Sequence, residues 1–132
     1  MPKPIILCVD DEKFILESIK RQLKHEFGQT YQYEFAENAE DAMELIEELE
    51  EENEEIRLIV SDWLMPGKKG DELLIEVHKR YPKMIKIMLT GQADDDAVER
   101  ARKQANLHRY LRKPWNDQDL LETIKSGLEK LV

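Results

Sequence analysis

Five short strand-like runs, Ile5–Val9, Tyr31–Ala36, Leu58–Val60, Ile85–Leu89 and Tyr110–Leu111, alternate with stretches in which apolar residues recur every three or four positions. The helical patterns are Ile15, Ile19, Leu23 and Phe27; Ala39, Ala42, Met43, Ile46 and Leu49; Leu74, Val77 and Tyr81; Ala97, Val98, Ala101 and Ala105; and Leu120, Ile124, Leu128 and Leu131. Runs of strand length separated by helices of ten or more residues require crossover connections, which are right-handed and make the sheet parallel. A parallel sheet covered on both faces is a three-layer α/β sandwich. With strand order 2-1-3-4-5, one of the two common doubly wound orders, a sandwich of five such strands and five helices is flavodoxin-like.

Local signals agree with this alternation. Asn38 with Asp41, and Asn116 with Asp119, are spaced like capping boxes at two helix starts. Pro66-Gly67, Pro82 and Pro114 punctuate joints between elements. The run Glu47–Glu55, EELEEENEE, reads as a solvated helix end, and negative charge there opposes the macrodipole, so this end is expected to fray.

At 132 residues the chain is expected to form one domain over 1–132 without an output domain, either as a single-domain protein or as a piece of a longer one. A net charge of −9 argues against direct nucleic-acid binding, because phosphate attraction needs a basic face. The sequence has no long apolar span and no secretory leader, which points to a cytoplasmic protein without membrane contact. Cys8, the single cysteine, lies within IILCV and reads as a small core residue.

In a doubly wound sheet, ligands bind beyond the C-terminal strand ends where the strand order reverses. The first strand ends in Asp10-Asp11, the third in Asp62, the fourth in Thr90-Gly91 and the fifth in Lys113-Pro114. A lone Asp before Pro-Gly is commonly just a turn residue. Three carboxylates brought together at one edge, however, repel strongly unless protons or a cation offset them. All-oxygen ligands favour Mg²⁺, or Mn²⁺ in its place, over zinc. His25, His78 and His108 lie in or beside helical patterns and read as surface residues. Metal, Thr90 hydroxyl and Lys113 ammonium would cradle a tetrahedral oxyanion. Asp62, on the central strand, is the candidate nucleophile toward phosphorus, with Asp10 and Asp11 holding the metal.

These pieces, VDDE, SDWLMPGKKGDEL, LTGQAD and YLRKPW, resemble the response-regulator receiver domain of two-component signalling, related to the chemotaxis response regulator. The resemblance implies Asp62 as phosphoacceptor. It also implies a Mg²⁺ site from Asp10, Asp11, Asp62 and the Leu64 backbone carbonyl, with Thr90 as switch hydroxyl, Lys113 as phosphoryl contact and Tyr110 as switch aromatic. A cis Lys113–Pro114 bond and a flexible loop containing Gly67 and Gly70 are implied in the same way.

The implied donor is a sensor histidine kinase or phosphotransfer protein, and the implied readout is a downstream protein or output domain engaged by the fourth helix, fifth strand and fifth helix. That face also allows a homodimer. LTGQAD and RYLRKPW are similar to receivers attached to cyclic-dinucleotide phosphodiesterases or hybrid kinases. The chain is then a switch, not an enzyme beyond self-phosphotransfer and autodephosphorylation.

Three other readings compete, two of them with the same fold, the cofactor binder and the pseudo-receiver. A flavodoxin-like cofactor binder would need a phosphate loop where this chain has DDEK, which repels phosphate. An aspartate-nucleophile phosphohydrolase usually has a second Asp where Leu64 stands. A pseudo-receiver would bind partners without phosphorylation. Leu64 and Gln92 are expected to border the path of water toward an aspartyl-phosphate.

Overall fold

The computed structural model describes residues 3–91 and 95–130. The elements run β1 (Ile5–Val9), α1 (Lys13–Phe27), β2 (Gln32–Ala36), α2 (Ala39–Glu51), β3 (Ile56–Asp62), α3 (Gly70–Arg80), β4 (Ile85–Thr90), α4 (Asp95–Gln104), β5 (Arg109–Arg112) and α5 (Asp117–Glu129). All strand pairs are parallel, in the order β2-β1-β3-β4-β5. The expected fold class and strand order are both observed.

Alternating residues of the central strands feed two separate cores. Ile5, Leu7, Val9 and Ile59 join Ala42, Met43 and Ile46 of α2, Leu73, Leu74 and Val77 of α3, and Ala101 of α4. Ile6, Cys8, Leu58 and Val60 join Leu16, Ile19 and Leu23 of α1 and Leu120, Ile124 and Leu128 of α5. Because both faces of β1 are covered, all five of its residues are buried, and the strand reads as a continuous apolar run instead of an alternating one. Cys8 is among them, as expected; burial first, and Asp10 second, push its thiol up to about 12.

Element ends show where polar residues mask structure. β3 begins two residues before the expected Leu58, with Arg57 skipped by a register shift in the pairing with β1, and ends two after Val60, because Ser61 and Asp62 continue the ladder without being apolar. At the first expected cap, Asn38 accepts from the Asp41 amide at 2.8 Å and donates to its carboxylate at 3.1 Å. At the second, Asn116 accepts from the Gln118 amide at 2.7 Å, one residue earlier than the spacing suggests. The acidic end of α2 is not left open. Asn53 takes the left-handed conformation at φ 61, and the Glu54 amide closes on the Leu49 carbonyl at 3.0 Å, a Schellman-type stop.

Two histidines depart from the surface reading. His25 is exposed, but His78 lies half-buried with Nδ1 3.0 Å from the Lys86 ammonium, and His108 places Nε2 2.9 Å from Ser126 Oγ. His78 follows Leu74 by one helical turn and so flanks the buried face of α3, where Lys86 meets it. Lys86 sits inside β4 and donates to the Met84 carbonyl at 2.7 Å, and burial lowers its pKa to about 8.

Candidate functional site

The C-terminal ends of β1, β3 and β4 and the segment after β5 converge at one edge of the sheet. Asp10 follows β1, and its amide donates to the Ala36 carbonyl of neighbouring β2 at 3.1 Å. Its Oδ1 accepts from the Glu12 amide at 2.9 Å, which turns Oδ2 toward the site. Asp62 ends β3 and Thr90 ends β4, both buried because adjoining strands and helices cover their stems. The Lys113 amide donates to the Thr90 carbonyl at 2.6 Å, and the following Lys113–Pro114 bond is cis, as the resemblance implies. The strand end and this turn fix the lysine stem, and its ammonium reaches Asp62 Oδ1 at 3.2 Å and Asp10 Oδ2 at 3.7 Å.

Carboxylate oxygens of Asp10, Asp11 and Asp62 lie within 4.8 Å of one another, so the three acids meet as expected. Asp10 and Asp62 are buried and Asp11 is exposed, an arrangement with a closed floor and an open side. Asp10 Oδ2 and Asp62 Oδ1 face Lys113 at ion-pair range without hydrogen-bond alignment, and Thr90 Oγ1 is buried with no hydrogen-bond partner among the described residues. Buried oxygens of this kind are costly unless a further group satisfies them. The donor set is all oxygen and open to solvent on the Asp11 side, which fits Mg²⁺ or Mn²⁺.

The charge balance agrees. Burial first, then Asp62 and Asp11, raise Asp10 to about 6 against the opposing Glu12 amide and Lys113. Burial also raises Asp62, opposed mainly by Lys113. Lys113 is lowered by burial, but Asp62 and Asp10 outweigh this and hold it above its ordinary value.

A folded-state pKa above the unfolded one contributes stability that is complete below about pH 4 and lost as pH rises through about 6. Without a cation, a charged Asp10 is thus expected to cost stability at neutral pH. Asp10→Asn keeps the acceptor for the Glu12 amide and removes the charge, so in EDTA at pH 7.5 it is expected to gain about 1–3 kcal/mol in urea denaturation, at roughly 1.4 kcal/mol per pKa unit. Equal stability of variant and parent would show that the cluster is not strained.

Tyr110, on β5 beside Met88, is 37% exposed and points out of the core. Leu64, two residues beyond Asp62, is 58% exposed. Gln92 lies outside the described residues, as does the Leu131 end of the last helical pattern. The two loop glycines separate: Gly67 occupies a turn at φ 78, whereas Gly70 is not in a loop but opens α3, packed against the Asp62–Trp63 backbone.

The family described as "response regulator receiver domain" matches residues 6–125. The chain belongs to the response-regulator receiver family. It is therefore a receiver domain of a two-component response regulator. The signal receiver domain of an HD domain-containing protein from Pseudomonas fluorescens Pf-5 superposes with a TM-score of 0.85 at 33% identity, covering 97% of this chain and 96% of that one. A CheY-like receiver domain protein from Methanospirillum hungatei JF-1 gives 0.83 at 38% identity, covering 97% and 95%.

Among curated proteins, the hydrogenase transcriptional regulatory protein HoxA of Cupriavidus necator is 28% identical over 124 residues, 94% of this chain. The receiver spans about a quarter of that regulator, 24% of its length. No helix among the described residues is long and apolar enough to cross a membrane.

One group of residues beside the site was not legible in the sequence. Asp71 reads as an ordinary acid in the first turn of a helix, yet it is 2% exposed and bonded to both Trp63 and Arg100. Only the fold brings these three positions together.

Proposed function

We propose that this receiver takes a phosphoryl group on Asp62 from a sensor histidine kinase, a phosphotransfer protein or a small phosphodonor, and that Mg²⁺ is required. The observation that carries this reading is the meeting of three carboxylates with the Lys113 ammonium, 3.2 Å from Asp62, at the switch-point edge of the sheet. Asp10, Asp11, Asp62 and the Leu64 carbonyl would hold the ion, which supplies charge neutralisation to the incoming phosphoryl oxygens. An Asp62 carboxylate oxygen bonds to phosphorus as the bond to the donor breaks, and the electron pair leaves with the donor. Lys113 offsets charge on the phosphoryl oxygens, and the Thr90 hydroxyl donates to one of them.

Once Thr90 turns toward the phosphoryl group, the space behind it opens to Tyr110, whose exposed ring can move inward. The α4–β5–α5 face then changes and regulates a partner or output domain, or pairs with a second copy. The small side chains Ala97 and Ala101 on α4, and Ala105 just past its end, bury little area each, which lets the helix shift at low cost. In this reading the domain is a cytoplasmic switch with no direct nucleic-acid contact and no catalytic turnover beyond its own phosphorylation and dephosphorylation. The regulatory output of HoxA and the HD-domain protein differ by name, so the receiver itself leaves the output class open.

The test is intact-mass spectrometry after incubation with acetyl phosphate. A single phosphoryl adduct is expected with Mg²⁺ or Mn²⁺ and none in EDTA; an adduct independent of metal overturns the proposal.

The lifetime of that adduct follows from Leu64. Its exposed apolar side chain cannot orient water for in-line attack, while its metal contact would come from the backbone. Leu64→Asn is expected to shorten the phosphorylated lifetime by roughly threefold to tenfold, the upper end being about 1.4 kcal/mol of barrier. Mg²⁺ affinity should stay nearly unchanged. A lifetime equal to or longer than that of the parent removes Leu64 as a water gate.

A further inference from the structure

Asp71 is a buried carboxylate outside the acceptor cluster, and its side chain bonds to two residues outside its own helix α3. Its Oδ1 accepts from the indole N–H of Trp63 at 3.0 Å. Its Oδ2 accepts from Arg100 Nε at 3.2 Å and Nη2 at 3.0 Å. Trp63 follows the acceptor Asp62 directly. Its backbone amide donates to the Leu89 carbonyl at 2.8 Å, one residue before Thr90, and its carbonyl accepts from Gly70, the residue before Asp71, at 2.9 Å. The backbone at Asp62–Trp63 therefore cannot shift without moving the indole or the start of α3.

At the far end of this chain of contacts stands α4. Its buried residues are Ala97, Val98 and Ala101, which bury little area and define its position weakly. Arg100, on the same helix, spans from solvent to the buried Asp71 carboxylate, their side chains being 50% and 2% exposed. A charge-assisted pair with one partner desolvated is directional in a way that alanine packing is not.

We propose that Asp71 is a latch: it holds α4 in the unphosphorylated position through Arg100, and it is released when the acceptor loop moves the Trp63 indole. The proposal rests on the phosphoacceptor reading and adds a route from Asp62 to α4 that does not pass through Thr90 and Tyr110. Asp71, Trp63 and Arg100 are positioning residues, none of them touching the phosphoryl group. An interaction made only in the resting state opposes activation, so weakening it raises the affinity for any ligand that binds the activated state better.

The experiment is titration of the Mg²⁺-loaded domain with beryllofluoride, an aspartyl-phosphate mimic, followed by backbone amide NMR. Arg100 is half exposed, so Arg100→Gln should fold, and Trp63→Phe keeps an aromatic ring in the core while deleting the N–H donor. Both variants are expected to bind beryllofluoride about threefold to tenfold more tightly than the parent, within the usual span of coupling between sites. Their α4 amides should lie part-way toward the beryllofluoride-bound positions before any ligand is added. Arg100→Lys, which keeps the charge, should fall close to the parent.

Unchanged or weaker binding in Arg100→Gln and Trp63→Phe overturns the latch, even if both melt at lower temperature, since a merely structural role lowers stability without tightening the ligand. A parent that takes up no beryllofluoride overturns the phosphoacceptor reading itself, and the latch with it.

Discussion

Asp62→Asn is expected to abolish the phosphoryl adduct formed with acetyl phosphate and Mg²⁺, a loss of at least about a thousandfold in rate, or roughly 4 kcal/mol of barrier. An amide oxygen carries no full negative charge and is a poor nucleophile, whereas every other part of the site stays in place. Unfolding would not explain the loss. Asp62 is a buried acid whose pKa is raised, first by burial, and it lies in a cluster with two other carboxylates. Replacing it with a neutral isostere should leave the metal-free protein at least as stable at neutral pH. Lys113→Ala gives a graded contrast, because the ammonium offsets charge but forms no bond to phosphorus. Its expected cost is about a hundredfold, in the range of removing one preorganised electrostatic partner. If Asp62→Asn still accumulates adduct at the parent's rate, the acceptor is another residue.

The same cluster shows what a sequence can and cannot convey about such a site. Asp10, Asp62, Thr90 and Lys113 were legible because each closes a recognisable strand, and the switch-point rule then assigns all four to one edge. The two cores were legible because Ile5–Val9 is apolar at every position, which only a sheet covered on both faces tolerates. Boundaries were less legible wherever a ladder continues through polar residues, as at Ser61 and Asp62 in β3 or Arg109 and Arg112 in β5.

Least legible were buried polar groups whose partners are distant in sequence. Asp71 and Arg100 are 29 residues apart, and neither carries a periodic signal. Lys86 interrupts an apolar run, but nothing local indicates that its ammonium turns back to the Met84 carbonyl and His78. Periodicity reports which face is apolar; it does not report where a charged side chain ends inside that face.

Gly70→Ala is the change expected to damage the fold most for its size. Gly70 opens α3, where alanine would ordinarily be the better helix former by up to about 1 kcal/mol. A Cβ at this position, however, would overlap the carbonyl oxygen of Asp62 and come within 2.9 Å of Trp63 Cα. Both are backbone atoms of the strand end that carries the acceptor, so no rotamer change relieves the contact. Either α3 moves away from β3, breaking the Gly70 amide bond to the Trp63 carbonyl, or Asp62 is displaced from Lys113.

The expected net effect of Gly70→Ala is a destabilisation of roughly 2–3 kcal/mol, the overpacking range. Phosphorylation by acetyl phosphate should slow at least about tenfold, since a small misplacement of a nucleophile is expensive. Gly67→Ala is the control. A Cβ there meets nothing within 4 Å, and the cost is the left-handed backbone at φ 78, about 1–2 kcal/mol, with no contact to the acceptor. Urea denaturation and adduct kinetics on the two variants therefore separate backbone strain from site displacement. If Gly70→Ala is as stable and as quickly phosphorylated as the parent, the packing of α3 on the Asp62 carbonyl does not position the acceptor.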